Sequence, residues 1–251
     1  MTRDPDIAEL ARMIAEARRA VLFTGAGIST ESGIPDFRSP GGIWTKYRPV
    51  DFDAFLGSEE ARREAWRRKF ATDQTIRDAR PNRGHRAVAA LIRQERASAV
   101  ITQNIDGLHQ ASGVPEKQVI ELHGNTTYAL CLDCRERYEI EALRLEFERS
   151  DEPPYCGSCG GLVKTATISF GQPMPEGAMR RARAETLAAD LFVVAGSSLV
   201  VYPAAGFPQL AKRSGAVLVI INREPTALDE IADLVLNRGL GETLGEAVGV
   251  E

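Results

Sequence analysis

The sequence predicts an α/β fold with a doubly wound parallel sheet, and three observations carry that expectation. Six short apolar runs lie along the chain, rich in β-branched residues and without clean alternation, as suits strands buried on both faces. Stretches with helical periodicity separate most of them. Glycines and small polar residues cluster just after the runs, at the strand ends where ligands bind in open α/β sheets.

An amphipathic helix opens the chain over about residues 7–19, with Ile7, Leu10, Ala11, Ile14 and Ala15 on one stripe. The first strand, Val21–Phe23, stops at Gly25-Ala26-Gly27. Further strands are expected at 99–101, 119–120, 191–194, 217–221 and 234–236, with helices at 84–96 behind Pro81-Asn82, at 176–189 behind Pro175, and at 203–213. Two regions break this alternation. Residues 35–80 begin rich in Pro, Gly and aromatics and turn helical and highly charged, which reads as a functional loop followed by a helical insertion. Residues 126–166 hold all four cysteines around a charged middle and form a second candidate module. The remainder, 1–34, 81–125 and 167–251, then makes one sheet domain.

At 251 residues the chain can bury a sizeable core with a satellite module. The balance of 31 Lys and Arg against 35 Asp and Glu leaves no broad basic field, so nucleic acid is not expected as a partner. The charged N-terminus has no apolar signal core, and no apolar run approaches the roughly 18 residues of a membrane span. A soluble cytoplasmic protein without membrane contact is expected; oligomeric state is not legible.

The strongest motif is Cys131-Leu132-Asp133-Cys134 with Cys156-Gly157-Ser158-Cys159, separated by about twenty residues. Two such knuckles present four thiolates tetrahedrally, with Gly157 and Gly160 expected to permit the tight turns. Four sulfur ligands leave no open position for water, so the metal expected is one structural zinc. Gly25-Ala26-Gly27-Ile28-Ser29 follows a buried strand as a phosphate-cradling turn does, although the third glycine of the usual dinucleotide fingerprint is absent and an ordinary tight turn has the same composition. Thr102 through His109 (TQNIDGLH) puts amides and a carboxylate at another strand end, suited to ribose hydroxyls and a carboxamide, or simply to turn capping. His123-Gly124, Gly196-Ser197-Ser198 and Asn222-Arg223-Glu224 occupy further strand ends. Of the three histidines, His85 and His109 read as structural, His85 at a helix start and His109 within its own turn's hydrogen bonding.

Taken in order, GAGISTESGIPDFRS at 25–39, TQNIDGLH at 102–109, HG at 123–124, the two CxxC pairs, FG at 170–171, GSSLVVYPAA at 196–205 and IN at 221–222 resemble the sirtuin family over nearly the whole chain. The resemblance implies a Rossmann-like domain binding NAD, a small zinc module with a helical insertion, and an acyl-lysine protein or peptide held in the cleft between them. It assigns Gly25, Ala26, Gly27, Ser29, Asp36, Phe37 and Arg38 to the cofactor, Phe37 covering the reacting ribose. Gln103, Asn104, Ile105 and Asp106 would form the nicotinamide and ribose pocket, and Gly196, Ser197, Ser198, Asn222, Glu224 and Leu240 would hold the adenosine half. Phe37, Ile105, His123, Ile168 and Phe170 would line the lysine channel, and the substrate backbone would pair in extended form between the segment at Phe170-Gly171 and that at Val200–Tyr202. The implied reaction is attack of the acyl amide oxygen on C1′ of the nicotinamide ribose. His123 acts as general base with Asn104 beside it, and the products are nicotinamide, deacylated lysine and 2′-O-acyl-ADP-ribose.

Two departures from the family pattern bear on the substrate. Thr165 to Gln172 (TATISFGQ) stands where many relatives carry Pro-x-Val-Val-Phe-Phe-Gly-Glu, which changes the peptide-facing segment. Trp66-Arg67-Arg68-Lys69 stands near where relatives selecting succinyl or malonyl groups show Tyr-x-x-Arg, so neutral acyl groups, acetyl first, are expected, with these cations read as a solvated helix face. A protein ADP-ribosyltransferase or a longer-chain deacylase on the same scaffold is the competing expectation; a zinc amidohydrolase conflicts with four-thiolate ligation, and an NAD-sensing module would need neither the TQNID cluster nor His123.

Overall fold

The computed structural model describes residues 4–36, 42 and 48–251; Phe37 and Arg38 lie outside them. The helix α1 spans Pro5–Glu16, its first turn capped by Asp4, whose carboxylate accepts from the Asp6 amide at 3.0 Å, with Pro5 preset for the first helical position. Ile7, Leu10 and Ile14 are buried, whereas Ala15 is exposed, and the helix ends before residue 19 because Ala17 is extended.

Six strands, β1 (Ala20–Thr24), β2 (Ala97–Thr102), β3 (Val119–Glu121), β7 (Leu191–Ala195), β8 (Val217–Ile221) and β9 (Leu234–Leu236), form one sheet in the order β3-β2-β1-β7-β8-β9. All its pairings are parallel. The order reverses between β1 and β7, which leaves a crevice at the carboxyl ends of those strands. Alternate residues of each strand feed opposite cores. Leu22, Val100, Val193 and Val219 pack with α1, α4 (Arg83–Arg93) and α9 (Leu240–Val248) on one face. Val21, Phe23, Ile101, Phe192 and Ile220 pack with α7 (Glu176–Ala188) and α8 (Gly206–Arg213) on the other. Two-sided burial is why these strands lack alternation. Each such side chain contributes about 1.5–3 kcal/mol of transfer free energy.

A second, smaller body completes the described chain. The strands β4 (Gly124–Cys131), β5 (Arg137–Glu139) and β6 (Val163–Thr167) form an antiparallel sheet in the order β5-β4-β6, with α6 (Ile140–Ser150) beside it. The helices α2 (Phe52–Gly57) and α3 (Glu59–Asp78) bring Trp66 into the same core, against Ala129, Cys131, Ile140, Leu143, Phe147 and Val163. Trp66 is 2% exposed, donates from Nε1 to the Val163 carbonyl at 3.3 Å, and stacks on Phe70.

The solvated-face reading holds for Arg67, which is exposed, and needs correction for Lys69, which is buried. Arg62, Lys69 and Asp73 are buried: Lys69 pairs with Asp73, which Arg144 of α6 reaches at 2.6 Å, and Arg62 donates to the Phe55 carbonyl at 3.0 Å. Burial is tolerated because each charge finds a partner, Arg144 being the one remote in sequence. Arg67 is engaged by Asp151 and Arg68 by Glu64 at 2.6 Å. None of the three cations at 67–69 therefore stands without a counter-charge.

Candidate functional site

Four loops meet above the carboxyl edge of the parallel sheet. After β1, the Gly25 amide donates to the Ala195 carbonyl at 3.2 Å and the Gly27 amide to that of Gly196 at 2.8 Å, which locks the turns after β1 and β7 together. A Cβ on Gly27 would sit 2.7 Å from the Gly196 Cα, so this close approach of two backbones admits only glycine. Gly196 has φ of +69°, the left-handed region. Ser29 follows as a buried residue of the 3₁₀ turns leading away from the strand.

After β2, Gln103 donates from Nε2 to Ser197 Oγ at 2.9 Å, tying this loop to the one after β7. Asn104, 5% exposed, donates from Nδ2 to the Gly25 carbonyl and to Ser29 Oγ, both at 3.1 Å. Ser29 Oγ in turn donates to Asp106 Oδ2 at 2.7 Å, while Asp106 Oδ1 accepts from the Leu108 amide at 2.9 Å. Burial raises the Asp106 pKa above the ordinary carboxylate value, the two hydrogen bonds opposing it only in part. A buried carboxylate without a cation among the described residues is suited to a neutral donor such as a primary amide. Ile105 is half-buried between these residues, its carbonyl accepting from the Thr126 amide at 2.8 Å.

After β3, His123 Nδ1 lies 3.0 Å from the Gln103 carbonyl oxygen. A carbonyl can only accept, so Nδ1 carries the proton and the lone pair is on Nε2, the tautomer a general base requires. Gly124, at φ +73°, is what brings β6 close: a Cβ there would lie 2.0 Å from the Ala166 carbonyl oxygen, and the Ile168 amide donates to the His123 carbonyl at 2.8 Å. The half-buried Ile168 thereby sits beside His123, and Phe170, 47% exposed, leads into Gly171 at φ +81°. Val200 and Tyr202, 56% and 64% exposed, project from the loop after β7.

The remaining residues read from the sequence contribute differently. Asp36 is half-buried, and Ala26 and Gly27 line the turn surface. Ser197 is buried and Ser198 exposed. Asn222 spends its side-chain amide on the Glu224 carbonyl at 2.7 Å, and the Glu224 side chain is exposed. Leu240, the first residue of α9, is 5% exposed and turns its side chain into the core against Gly84 of α4. His109 departs from its expected local bonding: its Nε2 reaches Thr24 Oγ1 at 2.9 Å, across to β1. Glu31, not singled out from sequence, accepts from the Gly241 amide at 3.1 Å and so caps α9.

The four cysteines converge from the β4 end and from the 156–159 turn. Their sulfurs all lie within 4.8 Å of one another, with 3.5 Å between Cys131 and Cys159 and between Cys134 and Cys156. Tetrahedral Zn–S bonds of about 2.3 Å separate sulfurs by about 3.8 Å, so the donor set fits one zinc ion. Of the glycines, Gly160 takes the left-handed turn, at φ +73°. Gly157 has open space at its Cβ and no positive φ, and the steric demand falls instead on Gly161, whose Cβ would meet Asp133 and the Cys131 sulfur.

The Sir2 family model matches residues 25–203. An NAD-dependent protein deacetylase 1 of Bradyrhizobium diazoefficiens is 61% identical over 97% of this chain and 95% of its own length. An NAD-dependent protein deacetylase of Rhodopseudomonas palustris is 59% identical over 97% and 96%. A Sir2 structure holding a p53 peptide and NAD+ superposes with a TM-score of 0.86 at 39% identity, covering 97% of each chain. The glycine turn, the Gln103–Asp106 loop, the His123 edge and the four-cysteine cluster lie within the matched segment, and the chain belongs to the Sir2 family.

Proposed function

We infer that this chain is an NAD-dependent protein-lysine deacylase, with acetyl as its first substrate class, working in the cytoplasm. The observation that carries the reading is His123: its Nδ1–H bond to the Gln103 carbonyl fixes the tautomer and ties the base to the loop that bears Asn104 and Asp106. When bound, NAD supplies an electrophilic ribose carbon, nicotinamide as leaving group, and the hydroxyls that receive the acyl group.

The protein's part is positioning and proton transfer. Gly25 and Gly27 let their turn lie against Gly196 and Ser197, and that turn, with Ala26, takes the pyrophosphate, Ser29 and Asp36 alongside; Phe37 and Arg38 are assigned here on sequence alone. Asp106 accepts from the carboxamide, which its desolvated carboxylate favours over water. Asn104, held by Gly25 and Ser29, orients the ribose side, and Gln103 with Ser197 closes the boundary to the adenosine half at Gly196, Ser198, Asn222, Glu224 and Leu240. His123 Nε2 removes the proton from a ribose hydroxyl. Ile105, Ile168 and Phe170 wall the lysine channel, and the substrate strand lies between Phe170-Gly171 and Val200–Tyr202, pairing through its main chain by β-augmentation while their exposed side chains flank it. The engaged cations at Arg67, Arg68 and Lys69 support neutral acyl groups over acidic ones. One zinc ion on Cys131, Cys134, Cys156 and Cys159 has a structural role. In this division residues 1–34, 81–125 and 167–251 bind NAD, 35–80 supply the cofactor loop and helical insertion, and 126–166 the zinc module.

Mass spectrometry of an acetyl-lysine peptide incubated with and without NAD tests this. NAD-dependent loss of acetyl, with equimolar nicotinamide and O-acetyl-ADP-ribose, is expected for the wild type. His123→Ala is expected to lower turnover by about 10²–10⁴-fold. ADP-ribose appearing on protein in place of deacetylation would instead establish a transferase.

A further inference from the structure

Two of the three histidines have no part in the reaction above, yet both are buried at its edge: His85 of α4 is 0% exposed and His109, in the short helix α5 (Leu108–Ala111), is 2% exposed. Their rings face each other, centroids 5.2 Å apart with planes at 58°. Both ring nitrogens of His85 and Nδ1 of His109 have no hydrogen-bond partner among the described residues. Leaving ring nitrogens bare in a core is costly, and a leucine or phenylalanine would fill the same space without that cost, so packing alone does not account for imidazole here.

The single side-chain hydrogen bond of the pair among the described residues is His109 Nε2 with Thr24 Oγ1 at 2.9 Å. Thr24 Oγ1 donates to Thr102 Oγ1 at 2.8 Å, and Thr102 Oγ1 accepts from the Asn104 amide at 3.0 Å. Because the one Thr24 hydroxyl proton goes to Thr102, Thr24 accepts from His109, and Nε2 is the protonated nitrogen. Thr24 and Thr102 are register partners and the last residues of β1 and β2. The next residue along each strand opens a loop of the site, Gly25 in one case and Gln103 in the other. Through Asn104 the chain continues to Gly25, Ser29 and Asp106.

We propose that His109 is a positioning residue for the nicotinamide–ribose pocket: from α5 it clamps Thr24 to Thr102, so fixing the Gly25–Ser29 and Gln103–Asp106 loops against each other, while His85 braces its ring from behind. The proposal rests on reading those loops as the NAD site. Fully buried, hydrogen-bonded networks fix geometry more tightly than their separate bonds would, and one misplaced member displaces the others. The clamp acts on the nicotinamide half and leaves the peptide-facing edge at Phe170 and Val200 outside the network.

The test compares wild type, His109→Gln and His109→Asn. A glutamine places an amide nitrogen near the reach of Nε2, whereas asparagine stops short of Thr24. Calorimetry gives the Kd for NAD, steady-state kinetics the nicotinamide inhibition constant and the peptide KM, and thermal melting the stability of each protein. His109→Asn is expected to weaken NAD and nicotinamide by about tenfold with peptide KM held within about twofold, and His109→Gln to restore both affinities to within about threefold of wild type. Equal NAD affinity in the two variants would overturn the clamp, as would NAD and peptide constants worsening together in step with melting temperature. A wild type that binds NAD but deacylates nothing would refute the deacylase reading while leaving the Kd comparison to decide the clamp; a wild type that does not bind NAD would overturn both.

Discussion

Mild acid should destabilise this protein through the same two histidines. Burial lowers the pKa of His85 from the ordinary 6.5 to about 4, and burial together with the neighbouring His85 lowers that of His109 to about 3. A base whose folded pKa is depressed binds its proton more tightly when unfolded, so the stability it permits is present above pH 6.5 and is lost as pH falls toward the folded value. With those values each ring costs well under ~1 kcal/mol at pH 7 but ~2 kcal/mol at pH 5, so the pair removes ~4 kcal/mol between the two. The buried carboxyls of Asp106 and Glu121 have raised pKa values and favour the folded state as they gain protons, opposite in sign to the histidines and common to both proteins compared below. Surface carboxylates with lowered values, such as Asp190 and Asp233, weaken the fold at still lower pH. Urea unfolding at 25 °C, measured at pH 7 and pH 5, reads the loss for wild type and for His85→Leu combined with His109→Gln. The double variant should lose ~4 kcal/mol less than wild type over this interval. Equal losses in the two proteins would show that neither ring is held neutral by the fold, and would remove the energetic reason for treating the pair as costly.

Two further perturbations probe the neighbouring elements. Gly27→Ala forces a Cβ to 2.7 Å from the Gly196 Cα and 2.8 Å from its carbonyl oxygen, both backbone atoms that cannot swing aside. A stability loss of about 1–3 kcal/mol is expected, with NAD affinity falling further than that loss accounts for, read by denaturant titration and calorimetry on the same preparation. For the cysteine cluster, metal analysis should find one zinc per chain in the wild type and none in Cys156→Ser, whose far-ultraviolet circular dichroism should show partial loss of structure; a metal-free wild type with an unchanged spectrum would refute the structural zinc.

Legibility differed between the two bodies, for a physical reason. The six parallel strands could be read because two-sided burial leaves a continuous apolar run for each, and their ligand loops because glycines and small polar residues interrupt those runs at once, as at Thr24-Gly25 and Ala195-Gly196. The β5-β4-β6 sheet left no such trace. Its strands mix exposed and buried positions, with a register irregularity between Gly124 and Ala129, and its core is completed by Trp66 from a helix far away in sequence. Buried charge was equally hidden: Lys69 and Asp73 look like any solvated helical pair at a spacing of four, and only Arg144, brought over by α6, makes their burial tolerable.

His109 shows the same limit at the site itself. Its spacing within TQNIDGLH suggested local bonding, because a sequence reveals which groups are near along the chain and not which strand end a side chain faces. The partner it finds, Thr24, closes the strand that opens the glycine turn, 85 positions away. In a doubly wound sheet the ends of sequence-remote strands are spatial neighbours, so residues that hold ligand loops in register need carry no local signature. The bare nitrogens of His85 and His109 supply the missing signal. In the apolar core beneath the parallel sheet, an uncompensated polar cost persists where the group also makes a contact that an apolar residue could not, and here that contact is the bond from His109 to Thr24.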